Sequence, residues 1–437
     1  MEGNLQTSTT TSLEARTIAK VSVRFLPLLI ICYFVAYLDR VNVSFAALTM
    51  RADLGLSETA YGFGAGIFFI AYFLFEVPSN MMLVRFGARK WIARIMFSWG
   101  IFSGAMAFVN SEISFYVVRV LLGVAEAGFF PGIIFFLTLW FPSNYRARIV
   151  GYFMAAVPFA AVVGAPVSGM LLGLDDFWGV QGWQWLFIIE SVPALILSVV
   201  VFFYLTDKPA DTIWLNEDER AWLINCLEQE QKQLVAFNKN NLLQVLLNPK
   251  VLLLSGVYFG LVTANYGFTF FLPQIVQEFG ISNLKIGMVS ALPYAVGTIS
   301  MVLWGKRSDR KHERRFHLAF PLLMISIGMV ISTIFDDPLI KMLAFSIAAF
   351  GIFSSMSVFW TFPTAFLSGA SAAVGIALIN SLGNLAGFVG PYVMGWIKDL
   401  TGSYTGGLLL LALASVIAMI IVLMFKYEQS PKSALPT

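Results

Sequence analysis

The chain has 437 residues, of which 58% are hydrophobic and only 12% charged, and its mean hydropathy is +0.78. A soluble globular domain carries about 25% charged residues, so this composition excludes one and describes a polytopic membrane protein. The net charge of +3 is too small for a nucleic-acid partner, and the 2 cysteines, Cys32 and Cys226, have no metal-site or disulfide spacing.

The polar start, residues 1–24, reads as a cytoplasmic tail. The apolar segment after it is too long for a signal-peptide core and lacks a small-residue cleavage site, so it is expected to remain as the first helix. Crossing about 30 Å of hydrocarbon takes roughly 20 helical residues. Six segments of that kind fall near 25–47, 59–83, 91–109, 112–140, 147–172 and 183–205, giving an N-terminal six-helix bundle over 25–205. A polar linker follows at 206–250, in which Asn216 and Glu219 have capping-box spacing and predict a short amphipathic helix. Six more spans, near 251–279, 284–305, 316–335, 339–364, 370–398 and 404–426, give a C-terminal bundle over 251–426 and leave a tail at 427–437.

Lys and Arg set the expected orientation. Counting alternate sides gives 22 on the side of the termini and central linker against 4 on the other, which places both termini in the cytoplasm of a plasma (inner) membrane protein. The halves also echo each other. A basic turn from Arg85 through Gly87 and Arg89 to Lys90 follows the second span, and another from Gly305 through Asp309 and Arg310 follows the eighth, about 220 residues later. Gly164-Ala165-Pro166 in the fifth span and Gly390-Pro391 in the eleventh repeat at a similar offset. Together they favour a six-plus-six duplication.

Twelve spans, a central cytoplasmic linker and these two turns resemble the major facilitator superfamily over nearly the whole chain. Within it, Tyr37-x-Asp39-Arg40-x-Asn42, Phe75-Glu76-Val77-Pro78-Ser79-Asn80 and Arg119-x6-Glu126 resemble the anion:cation symporter family, which includes galactonate, hexuronate, tartrate and phthalate permeases and is related to sialin and the vesicular glutamate transporters. The resemblance implies an all-α fold of two pseudo-symmetric six-helix bundles that work by alternating access. It also implies a gating role for the turn residues Arg85, Gly87, Arg89, Asp309 and Arg310. One position departs from the family: Val84 stands where an acid usually precedes the arginine of the first turn.

Ionisable residues inside spans are expensive, at roughly 2.5–3.5 kcal/mol on insertion scales, and so point to a substrate or proton pathway. Here they are Asp39, Arg40, Glu76, Arg119, Glu126 and Glu190. Arg40 lies 7 residues before the outer end of its predicted span and Arg119 lies 7 after the start of its own, so both sit about 10 Å below the outer surface. If both face one cavity, as the resemblance implies, they form a fork suited to a carboxylate. Arg119 and Glu126 are 7 apart and share a helix face. Burial and a nearby arginine act in opposite senses on the protonation of Glu126, so substrate carboxylate and acid compete for the same cation. The resemblance implies a proton-carrying role for both Asp39 and Glu126.

Glu76, before Pro78, and Glu190, in a sixth helix that the resemblance implies is peripheral, read as structural. Tyr37, Tyr72, Trp360, Asn380 and Asn384 are candidate hydrogen-bond partners of substrate oxygens, and in galactonate-type relatives these positions resemble substrate contacts. Gly62-x-Gly64-x-Gly66 lies in an apolar helix with no preceding strand, so it reads as a packing face. His312 and His317 lie in or beside an arginine-rich loop and read as bystanders.

The expectation is therefore a monomeric proton-coupled importer of an organic acid anion, a sugar acid, hydroxydicarboxylate or aromatic carboxylate, embedded in the lipid bilayer. It needs no cofactor beyond the coupling proton. No phosphate-binding loop or nucleophile–base pair appears, so neither an ATP-driven pump nor an enzyme is expected. An exchanger or exporter is the first alternative, and a non-transporting anion receptor the second.

Overall fold

With no water in the hydrocarbon core, every backbone N–H and C=O must find its partner within its own segment, and a chain this apolar folds as helices. The computed structural model describes residues 2–234, 247–311, 313–366 and 369–425. His312, the tail 427–437 and the middle of the 206–250 linker lie outside the described residues.

In the first part of the chain the helices are α1 (Glu2–Leu54), α2 (Glu58–Phe86), α3 (Ala88–Ala105), α4 (Glu112–Glu126), α5 (Phe129–Thr138), α6 (Ser143–Met154), α7 (Ala156–Leu171), α8 (Gly182–Tyr204) and α9 (Glu217–Leu234). After the linker come α10 (Pro249–Gln277), α11 (Asn283–Lys311), α12 (Arg315–Ile334), α13 (Pro338–Phe359), α14 (Thr361–Phe366), α15 (Gly369–Thr401) and α16 (Thr405–Met424). Among the described residues these make 12 segments long and apolar enough to cross a membrane. Large apolar side chains such as Ile196, Phe203, Leu303 and Leu413 point out of the fold, as a lipid-facing surface requires.

The helices depart from the predicted spans at several points, among them a break of the fifth at Ala155. The first helix starts at Glu2, well before residue 25, since no Gly or Pro interrupts residues 4–26; Pro27 lies inside it. The fourth span breaks between α4 and α5, where Ala127 is extended and Gly128 is left-handed at φ 87°. The tenth breaks at Trp360, between α13 and α14.

The chain forms two compact units. One comprises Met1–Gly55 and Ile67–Ala236, the other Leu56–Gly66 and Phe237–Thr437. In the first unit α3 packs along α8, and α1 against α7 and α8. The linker helix α9 belongs to it as well. Glu219 of α9, fully buried, accepts hydrogen bonds from Arg16 Nε and Lys20 Nζ of α1, both at 2.8 Å, and from the Asn216 backbone at 3.1 Å. Glu230, about three turns further on, takes the Ser143 N–H and the Arg146 guanidinium of α6 at 2.6 and 2.7 Å.

In the second unit α10 packs on α15 and α16, and α12 on α13 and α16. The start of α2 lies against α15 because Gly62 and Gly66 carry no side chain. A Cβ on Gly62 would overlap the Pro391 carbonyl, and one on Gly66 the Phe388 backbone. Asp399 then caps α2, accepting from the N–H groups of Glu58 and Thr59 at 3.1 and 2.7 Å, which an isolated helix would leave unpaired.

Burial works against charge on Glu219, but the hydrogen bonds from Lys20, Asn216 and Arg16 prevail and hold its carboxyl below the ordinary range. The same balance, with Ser143 and Arg146 as donors, holds Glu230 low. Groups depressed in the folded state stabilise it fully above the unfolded value of about 4.3 and cease to do so as pH falls through their folded values. Acidification below about pH 4 should therefore release α9, read as rising mobility of a spin label on Cys226. At neutral pH, Glu219→Ala should accelerate maleimide labelling of Cys226 several-fold, and an unchanged rate would count against this clamp.

Candidate functional site

Asp39 and Arg40 are adjacent, so they leave α1 about 100° apart and meet different neighbours. Asp39 turns to α3, where Trp99 Nε1 and Ser103 Oγ each donate to one of its carboxylate oxygens at 2.8 Å. Trp99 and Ser103 are four apart, hence on one face of α3. All three are buried. Arg40 turns the other way and forms an ion pair with Glu126, the last residue of α4. The negative pole of a helix lies at its C-terminus, so the Arg40 guanidinium answers the carboxylate and the end of α4 together.

Arg119 is brought to the same place by a glycine. At Gly123 a Cβ would collide with the Phe68 carbonyl, and the Ala71 side chain is close behind. Its absence lets α4 lie directly on α2 between Arg119 and Glu126. Phe68 then receives both cations: the Arg119 guanidinium carbon is 5.0 Å from the ring centroid and that of Arg40 is 5.4 Å. Tyr72, one turn on from Phe68, lies 5.5 Å from the Arg40 guanidinium. Aromatic faces of this kind contribute about 0.5–2 kcal/mol each to holding a cation. Arg119 and Glu126 are fully buried and Arg40 nearly so. The break after Glu126 has a second effect, because Phe129, the first residue of α5, sets its ring edge-on to Trp99 at 4.9 Å.

Tyr37 is buried on α1, two residues before Asp39. Glu76 is buried on α2 and lies in electrostatic range of Tyr72. Glu190 is buried on α8, where Ser168 of α7 donates to it at 2.8 Å.

The second unit assembles its own polar group around Tyr258 of α10. Its ring stacks on Phe359 and meets Trp360 edge-on, both at 4.9 Å, and it fills the space that a side chain on Gly383 would need. Trp360 at the α13–α14 break is thereby brought to the stretch of α15 that carries Asn380 and Asn384, both half-buried.

The basic turns are locked separately. Gly87 has φ 88° and the Asp207 carboxylate sits against it. Asp207 accepts from the Arg89 N–H at 2.8 Å, with the Arg89 guanidinium 3.9 Å away. An acid from just beyond α8 thus serves the turn in which Val84 stands at the family's acidic position. Arg85 lies near the Phe86 ring. In the second turn Asp309 pairs with Arg314 at 2.6 Å, and Arg310 is exposed. Among the described residues no three His, Cys, Asp or Glu side chains gather as a metal site would require.

Phe68, Trp99, Ser103, Tyr258 and Asp207 are the participants that sequence reasoning missed. Only Phe68 carried a signal, its four-residue spacing from Tyr72. Losing either neutral donor to Asp39 leaves a buried carboxyl oxygen unsatisfied, at about 1–3 kcal/mol. Trp99→Phe and Ser103→Ala should each lower the melting temperature of purified protein, and a double variant no less stable than wild type would refute this role.

Residues 29–391 match the family model described as Major Facilitator Superfamily. A protein of Agrobacterium vitis named putative tartrate transporter is 49% identical over 94% of this chain and 95% of its own. A quinolone resistance transporter of Acinetobacter baumannii is 42% identical over 93% of each chain. The xylose transporter XylE from E. coli, in a partially occluded inward open conformation, superposes with a TM-score of 0.75 at 14% identity, covering 93% of this chain and 99% of that one. Neither the helix pattern nor these relatives describes an enzyme: the chain belongs to the Major Facilitator Superfamily and is a multi-pass membrane transporter.

Proposed function

We propose that the protein is a proton-coupled importer of an organic acid anion, with hydroxydicarboxylates of the tartrate kind as the substrate class to test first. The observation that carries this reading is the Arg40–Glu126 ion pair beside Arg119. A substrate carboxylate reaching Arg40 must displace Glu126, and a Glu126 that has taken up a proton releases Arg40 to the substrate. Binding of anion and proton are then linked through one guanidinium. Protonation of Asp39 and Glu126 from outside begins the cycle, Arg40 and Arg119 take the carboxylate, and the neutralised carrier reorients. Tyr37, Tyr72, Trp360, Asn380 and Asn384 are proposed to bind substrate oxygens. The 22-to-4 distribution of Lys and Arg supports cytoplasmic termini and a plasma-membrane setting. The relatives named for tartrate transport support the substrate class.

An exporter or exchanger is the second reading, and the relative named for quinolone resistance favours it. Proteoliposomes loaded with purified protein discriminate between the two. Under an inwardly directed proton gradient, wild type should accumulate labelled L-tartrate, whereas an exchanger shows counterflow and no gradient-driven accumulation. Glu126→Gln should keep counterflow and lose at least tenfold in accumulation; unchanged accumulation would sink the coupling assignment. Arg119→Ala should weaken tartrate binding by roughly 100-fold, the worth of charge-assisted hydrogen bonds at about 1.5–3 kcal/mol.

A further inference from the structure

Glu190 is the intramembrane carboxyl that the mechanism above does not use. It is buried on α8, and the Ser168 hydroxyl donates to its Oε1 at 2.8 Å. The side-chain amide of Asn42 lies beside the same carboxyl. Yet Asn42 Nδ2 and Glu190 Oε2 are both buried without a hydrogen bond. Asn42 is one turn on from Asp39 and on the same face of α1. From the other direction Ser103, which holds Asp39, adjoins Gly104, whose missing side chain admits Ser191, the neighbour of Glu190. Two carboxyl groups thus lie within electrostatic range of each other where α1, α3, α7 and α8 join. The donors described there, Trp99, Ser103, Ser168 and Asn42, are all neutral. The charged neighbour of Glu190 is Asp39, and the further acid facing Asp39 is Glu126 from the end of α4.

We propose that Asp39 and Glu190 form a carboxyl pair that holds one proton between them, so that Glu190 sets when Asp39 takes up and gives back its proton. With one proton bound, one carboxyl carries the O–H bond and the other the charge; release of the proton breaks that O–H bond and raises the charge of the pair from one negative to two. Two unshielded carboxylates in an apolar interior repel, and a shared proton removes that repulsion. The inference rests on the proton-coupled reading above.

Difference infrared spectroscopy of purified protein, without substrate, tests it. The carboxylic-acid C=O band of the pair is followed as pH is lowered in wild type, Asp39→Asn and Glu190→Gln. Removing either carboxylate removes the repulsion that retains the proton, so the half-point of the remaining band should move at least one pH unit towards acid. Ser168→Ala, which withdraws a donor from the ionised form, should move the wild-type half-point towards alkali and serves if Glu190→Gln does not fold. Half-points unmoved in the variants would overturn the proposal. In proteoliposomes, Glu190→Gln should shift the pH profile of gradient-driven L-tartrate uptake in the same acid direction, with Glu190→Asp restoring it. A uniform fall in rate with the profile unmoved would assign Glu190 a structural role only. Wild type with no dependence on the proton gradient would defeat the coupling reading, while the infrared half-points, which need no transport, would still decide whether the pair exists.

Discussion

An arginine cannot lose its charge and a membrane interior cannot solvate it, so the position of Arg40 has to be answered by other residues. Glu126 gives the opposite charge, Phe68 and Tyr72 give ring faces, and α4 gives its negative pole. Each of these depends on a backbone concession elsewhere. Gly123 allows α4 onto Phe68, and the left-handed Gly128 ends α4 where Glu126 is needed. The same break turns Phe129 onto Trp99 and so reaches the environment of Asp39.

The divergence of two adjacent residues divides the polar interior of the first unit into two environments. On the Arg40 side, cations and aromatic rings surround a carboxylate. On the Asp39 side, two carboxyls face hydroxyl, indole and amide groups. The first environment is suited to exchanging one anion for another, since any carboxylate is an equivalent partner for a guanidinium. The second offers its carboxyls only neutral donors and no cation, so protonation is what changes its charge.

Much of this was legible in the sequence because membrane helices leave few options. Twelve spans follow from apolar length, and the linker helix from the capping-box spacing of Asn216 and Glu219. The glycines of α2 read correctly as a packing face. The identity of contacts was another matter. Asp39 and Arg40 invite reading as a pair, yet adjacency on a helix separates side chains, and no spacing rule reveals that Trp99 and Ser103 lie opposite. The break at Gly128 is hidden because glycine is also at home inside membrane helices. Asp207 reaches the Arg89 N–H from more than 100 residues away, a tertiary contact that local sequence cannot display. The neighbours of Glu190, Ser168 and Asn42, likewise sit on other helices and leave no trace in local spacing.

The early start of α1 gives the clamp at the linker a longer reach. Lys20, held by Glu219, and Arg40, held by Glu126, belong to one helix, and the 20 residues between them span about 30 Å. A helix transmits rotation and axial thrust along its length, so the grip on the linker helix and the buried charges are two ends of a single lever. Pro27 removes one backbone hydrogen bond between those ends and makes that turn the most compliant point. Torque applied through the linker is therefore felt at Arg40 only after the turn at Pro27 has absorbed its share.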